Sequence, residues 1–429
     1  MNIPRVDLPR IVVVGCGFAG LKFVQTINSK QYQIVLLDKN NYHTFQPLMY
    51  QVATSGLEPD SITYPIRKIF KGKTRFHFRK TTVESIDTEK KEVHTTIGSI
   101  EYDHLVVALG ATNNFFGNKE VERFAVPMKS LVESLQLRSM ILQNFEEALN
   151  TSDIEEQNRL MNFVIVGGGA TGVELAGALA ELKAHVLPND YPDLDIRRME
   201  IHLVEGSDAV LGAMSDNSSK KSYAFLKKSG VNIWLSTRVE SYDGDTVVTN
   251  KENFESKAVI WTAGVKARAL PGLETGGSQN GRILIDDHAK AIAHDDVYVI
   301  GDMAEMRSEE NPRGHAMMAS VASQQGHWLA KNFNALAKGK PTKPFTYKDK
   351  GTMATIGRNK AVVDLKKFSF SGYFAWLTWM FVHLMLLVDY RNRLIVFMNW
   401  AWRYIRYDRG SRLIIREYKR KGKKEEVPV

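Results

Sequence analysis

Gly15, Gly17 and Gly20 follow a G-x-G-x-x-G spacing, and Gly167, Gly169 and Gly172 repeat it. This spacing suits a pyrophosphate. The first glycine permits a tight turn, the second lets backbone approach the phosphates, and the third lets the next helix pack on the preceding strand. The helix N-terminus adds free N–H groups and positive potential. An acid stands downstream of each turn, Asp38 after the first and Glu205 after the second, placed to accept hydrogen bonds from an adenosine ribose. A carboxylate at Glu205 suits a free 2′-hydroxyl and repels a 2′-phosphate. The next residues, Gly206, Ser207 and Asp208, bring no arginine, so the second site favours NADH over NADPH. Cys16 is the one cysteine of the chain, which excludes a disulfide framework, a cysteine zinc site and a dithiol relay. Between fingerprint glycines it reads as a small packing residue. There is no H-E-x-x-H, cysteine cluster or EF-hand loop, so no metal site is expected.

The elements that must carry these residues are legible around them. Residues 10–14 (RIVVV) and 33–37 (QIVLL) read as buried parallel strands flanking a helix over 19–28. Residues 162–166 (NFVIV) and 200–204 (EIHLV) flank a second helix over 173–182. Residues 184–198, with Pro188, Asn189 and Pro192, read as a surface excursion. Further apolar runs over 102–109, 258–262 and 297–300 end in glycine corners at Gly110, Gly264 and Gly301-Asp302. Such corners let backbone approach a ligand or a neighbouring segment. The fold class expected is α/β, with two Rossmann-like dinucleotide-binding units.

The chain has 429 residues, 44% hydrophobic and 24% charged, a globular composition with room for two or three domains. The first apolar run is too short for a secretory signal, so a reducing compartment is expected. Of the formal charge of +9, seven units belong to residues 389–429, where twelve Lys and Arg meet five Asp and Glu. Just before them, residues 368–388 hold no Asp, Glu, Lys or Arg, and a second apolar stretch covers 394–405. Trp376, Trp379, Trp400 and Trp402 lie in these stretches, and tryptophan favours a lipid–water interface. Arg391, Arg393, Arg403, Arg406, Arg409, Arg412 and Arg416 could reach lipid phosphates. The segment therefore reads as membrane-associated, either interfacial or spanning, with a buried helical pair as the alternative. The aromatics sit among aliphatic residues rather than along a polar groove, which argues against nucleic acid.

Residues 38–56 (DKNNYHTFQPLMYQVATSG), 166–175 (VGGGATGVEL), 261–265 (WTAGV), 350–361 (KGTMATIGRNKA) and the tail NWAWRYIRYDRGSRLI resemble type II NADH:quinone oxidoreductases, flavoproteins of the glutathione-reductase fold. The resemblance implies a split FAD-binding domain (residues 1–118 and 269–335), an inserted NADH-binding domain (119–268) and a C-terminal domain with membrane-anchoring helices (336–429). It assigns the first fingerprint, Asp38, Gly110 and Asp302 to FAD, and the second fingerprint with Glu205 to NADH. His43, Phe45, Pro47 and Tyr50 resemble a flavin-lining loop. The family's A-Q-x-A-x-Q quinone motif reads here Ala319-Ser320-Val321-Ala322-Ser323-Gln324, so only Gln324 carries over as a quinone ligand, with Gln325 and Lys360 as weaker candidates. A helix over 319–333 would point its dipole at the flavin. Glu174 would face nicotinamide and flavin as a proton relay, or be a carboxylate satisfied locally. The family also implies a peripheral homodimer on the cytoplasmic face of the inner (plasma) membrane, touching anionic lipid and not pumping protons. Two rivals remain: a soluble NADH-dependent flavin reductase, and an NADH-sensing flavoprotein of the apoptosis-inducing-factor type.

Overall fold

The computed structural model describes residues 1–273, 279–292, 294–406 and 411–420; Arg409 lies outside them. The chain divides into two compact units. The first comprises Met1–Thr44, Thr63–Thr112 and Val265–Asp349; the second comprises Phe45–Ile62, Asn113–Gly264 and the described residues from Lys350 onward.

Both units are built on one plan. In the first, five parallel strands run in the order Val297–Val299, His104–Val107, Arg10–Val14, Gln33–Asp38, Phe76–Lys80. Arg10–Val14 is buried along its whole length, as a strand covered on both faces must be. In the second, the order is Val126–Pro127, Ala258–Trp261, Phe163–Val166, Ile201–Val204, Asn232–Trp234, again parallel. Each sheet carries a three-stranded antiparallel meander, at Val83–Glu101 in one and Val239–Glu255 in the other. In both orders the chain reverses direction beside the strand that feeds the glycine turn, and this reversal opens a crevice at the carboxyl ends of the strands.

Glycine sets how tightly two helices close on their neighbouring elements. The Ala319–Leu336 helix lies on the Phe18–Thr26 helix at Gly326, where an added Cβ would stand 2.1 Å from the Ala19 carbonyl oxygen. The Ala170–His185 helix meets the Thr352–Gly357 strand at Gly177, 2.0 Å from the Ile356 carbonyl oxygen. The C-terminal part of the second unit is an antiparallel sheet (Thr352–Gly357, Lys360–Asp364, Ser369–Ser371) followed by the Tyr373–Leu386 and Tyr390–Arg406 helices.

Three expectations are refined or overturned. Residues 184–198 are a surface excursion, with Pro188, Asn189 and Pro192 exposed, but an anchored one. They hold a short Leu187–Asp190 helix and a 3₁₀ turn, and Val186, Leu187, Tyr191, Leu194 and Ile196 are buried, with Tyr191 stacked on Phe145 at 5.2 Å. Their apolar side chains, scattered among turn residues, show no period in the sequence. The uncharged run 368–388 is not one helix: Gly372, at φ +87°, separates a strand from a fourteen-residue helix. Among the described residues no helix is long and apolar enough to cross a membrane. Third, the four tryptophans do not share a surface. Trp379 and Trp400 are buried with ring centroids 5.7 Å apart, Trp376 stacks on Tyr404, and only Trp402 is well exposed. Arg403 likewise turns inward, donating to Gln51 Oε1 and the Gly56 carbonyl, and Arg412 pairs with Asp190.

Candidate active site

The first glycine corner is shaped by its own acid. Gly15 turns at φ +99°, against the Ala108 carbonyl. Asp38 accepts from the Cys16 N–H at 2.6 Å and the Asn40 N–H at 2.7 Å. Burial raises its pKa and these two N–H groups oppose that shift. Gly17 caps the helix with no side-chain partner, and a Cβ there would meet nothing within 4 Å. The corner thus presents uncapped N–H groups to open space, the arrangement a pyrophosphate fills. Cys16 is buried and its thiol is pushed well up by burial and by Asp38, so it packs and does not react.

His43 lies at the same corner, its Nδ1 2.9 Å from the Cys16 carbonyl. A carbonyl only accepts, so Nδ1 carries the proton and Nε2 keeps its lone pair, buried and without a partner. Burial holds the ring neutral. An O–H or N–H of a bound flavin nucleotide would satisfy this acceptor. Gly301, at φ +76°, donates its N–H to the buried Gln325 Oε1, which fixes the turn carrying Asp302. Gly110, at φ +69°, faces open space. The residues of this unit fit FAD.

The second corner repeats the first. Gly167 turns at φ +111° against Ala263; Gly169 caps its helix, and a Cβ added there would again meet nothing within 4 Å. Glu205 Oε2 accepts from the Gly168 N–H at 2.5 Å, while Oε1 accepts from the Ser207 N–H at 2.7 Å and the Ser207 hydroxyl at 2.8 Å. These residues fit an adenine dinucleotide with a free ribose.

Glu174, on the helix that this corner starts, lines a cavity with Tyr50, Trp376, Trp379, Trp400 and Arg403. Its pKa is raised to about 8 because burial disfavours the charge; the Thr355 N–H, donating to Oε1 at 3.3 Å, only partly opposes this. Gln51 organises the wall: its Oε1 accepts from Trp400 Nε1 at 2.8 Å and its Nε2 donates to the Tyr50 hydroxyl. Nothing in the spacing of Gln51 and Arg403, more than 350 residues apart, announces this pairing.

The other expected quinone contacts are arranged differently. Gln324 is bound at both ends of its amide by Lys348 backbone, Nε2 to the carbonyl at 2.9 Å and Oε1 from the N–H at 3.0 Å. Lys360 donates to the Ser229 hydroxyl at 3.0 Å and does not line the Glu174 cavity. Asp286, Asp287 and His288 come close enough to share a cation, but both carboxylates are exposed and Asp286 already accepts from the His288 and Lys290 N–H groups.

Fold and corners together define a two-dinucleotide oxidoreductase. Residues 9–326 match the pyridine nucleotide-disulphide oxidoreductase family, and residues 350–406 match the NDH2 C-terminal domain. The type II NADH:quinone oxidoreductase NdhA of Mycobacterium tuberculosis is 32% identical over 424 residues, covering 94% of this chain and 89% of that protein. A probable NADH dehydrogenase of Dictyostelium discoideum is 30% identical over 407 residues, covering 92% and 89%. The structure of NDH2 from Plasmodium falciparum in complex with NADH has the same fold, with a TM-score of 0.87 at 20% identity, covering 95% of this chain and 100% of that one. The chain belongs to the type II NADH:quinone oxidoreductases, within the pyridine nucleotide-disulphide oxidoreductase family.

Proposed function

We infer that this chain oxidises NADH at a bound FAD and passes both electrons to a quinone, without moving protons across a membrane. The observation that carries the reading is the duplicated corner: two glycine turns, each with a downstream carboxylate bound to the turn's own N–H. FAD, when bound, supplies a ring that accepts hydride and releases two electrons. The first corner and Asp38 would hold its nucleotide half, His43 Nε2 would be an acceptor for it, and Asp302, on the Gly301–Met303 turn, would serve its phosphate and ribityl side. The second corner holds NADH, with Glu205 accepting from the ribose.

The ring-lined cavity beside Glu174 receives the quinone head. Glu174 accepts from the Thr355 N–H at Oε1 and also interacts with the Trp379 side chain, and burial keeps its carboxyl protonated beside the cavity. Neutral at pH 7, this carboxyl can give that proton to a reduced quinone oxygen. Gln324 serves by position, pinning Lys348 against its helix, rather than by touching quinone, since its amide is already doubly bound.

The protein attaches peripherally to lipid through its two last helices. Phe374, Leu377, Phe381 and Met385 form an exposed stripe on one, and Leu394, Met398, Trp402 and Ile405 on the other, with Arg391 and Arg406 also exposed. An apolar stripe edged by arginine suits an anionic interface.

Stopped-flow absorbance on the purified holoenzyme tests the reading. Flavin bleaching by NADH and recolouring by a short-chain quinone are expected. A preparation that carries no flavin, or whose reduced flavin ignores quinone, would overturn it.

A further inference from the structure

Glu205 accepts three hydrogen bonds, from the Gly168 N–H, the Ser207 N–H and the Ser207 hydroxyl. A carboxylate held this way occupies an anion site. The fold brings a further donor to it that the local sequence does not contain. Ser236 donates its N–H to the Ser207 carbonyl at 2.7 Å and Thr237 to the Glu205 carbonyl at 2.9 Å, so the segment after the Asn232–Trp234 strand lies along residues 205–207. Arg238 comes next. Asn250 fixes its backbone from both sides, accepting its N–H at 2.7 Å and donating to its carbonyl at 3.2 Å. The Arg238 side chain runs over Gly206, its Cγ 3.7 Å from where a Gly206 Cβ would sit. It is exposed, and no ion pair engages it among the described residues.

We propose that this corner is a 2′-phosphate site plugged by the Glu205 side chain, and that Arg238 is the group that would bind the phosphate. The proposal deepens the NADH assignment and rests on it. With the plug gone, the Gly168 and Ser207 N–H groups are freed and the Ser207 hydroxyl is left with the Ala209 carbonyl as its acceptor, while the stem of Arg238, whose backbone Asn250 fixes, lies over Gly206. That is the donor set a phosphate dianion takes. Asp208, exposed on the same segment, remains as the opposing charge. Glu205 is therefore the group that fills the site, with Asp208 as a weaker opponent, and the donors a phosphate would use are already in place.

The test measures binding of 2′,5′-ADP and of ADP-ribose by calorimetry, with kcat/KM for NADPH and NADH, on the FAD-loaded protein. Glu205→Ala should raise 2′,5′-ADP affinity and NADPH efficiency by roughly ten- to a hundredfold, the range of hydrogen bonds to a charged group. Adding Arg238→Gln should remove that gain, while adding Lys228→Gln, an equal charge loss at an exposed lysine on the Asp216–Lys228 helix, should keep it. Glu205→Ser provides a second background should the alanine variant lose its fold. A Glu205 variant that retains flavin but binds 2′,5′-ADP no better than wild type, or a gain that survives Arg238→Gln, would overturn the proposal. A wild-type protein inert toward NADH would instead indict the nucleotide assignment itself.

Discussion

Glu174 sits within the first helical turns after a glycine corner, and the sequence marked it only through resemblance. Its chemistry depends on burial, which no spacing encodes. The linkage has a definite sign. Below its ordinary pKa of 4.5 the carboxyl is protonated in the folded and unfolded chain alike. As pH rises from there to about 8, the unfolded chain loses the proton and the folded one keeps it, so stability falls across that window and levels off above it. Glu174→Gln should remove this slope. Thermal melts from pH 5 to 9 should show the variant gaining on wild type as pH rises, and a constant difference would refute the buried neutral state. Quinone reduction in the wild type should decline above about pH 8 as the donor ionises, and in Glu174→Gln be slow at every pH. Asp38 and Glu205 differ from Glu174 in legibility. A carboxylate at the end of a strand after a glycine turn is a local pattern, whereas Arg238, thirty-three residues beyond Glu205, is joined to it only by strand adjacency.

At the scale of elements, glycines with the same sequence signature divide into two physical kinds. Gly17 and Gly169 have open space where a side chain would stand, and both have ordinary extended backbone. Gly17→Ala should therefore fold with the Tm of the flavin-free wild type yet fail to bind flavin, and Gly169→Ala should retain flavin but bind NADH more weakly. Gly177 and Gly326 instead touch a carbonyl of the neighbouring element. Alanine at either should cost stability by roughly 1–3 kcal/mol or more, as overpacking does, read as a lower Tm with residual nucleotide binding. Equal effects from the two kinds would contradict the geometry. The first strand–turn–helix–strand of each unit was legible because it is local, with burial on both faces written as continuous apolar runs. Residues 184–198 were not, since turn residues interrupt the side chains that anchor them, and the run 368–388 looked continuous until Gly372 broke it.

For the whole molecule, the exposed stripe on the last two helices predicts attachment that is separable from chemistry. Replacing Phe374, Phe381 and Ile405 together with serine should lower co-sedimentation with anionic phospholipid vesicles by on the order of tenfold or more, given what burial of such side chains contributes. Turnover with a short-chain quinone in solution should persist while turnover with a long-chain quinone in vesicles falls. Unchanged sedimentation would place the lipid contact elsewhere.

By itself the sequence determined that two dinucleotide corners exist, which acid belongs to each, and that the C-terminus is apolar and basic, because period, spacing and composition are local quantities. The tertiary structure alone decided which tryptophans and arginines of that tail face inward, that Glu174 is buried and its pKa raised, that Gln324 is tied to Lys348, and that the Arg238 stem lies over Gly206. Each of those depends on desolvation or on contact between residues far apart in the chain, and only a closed core creates either.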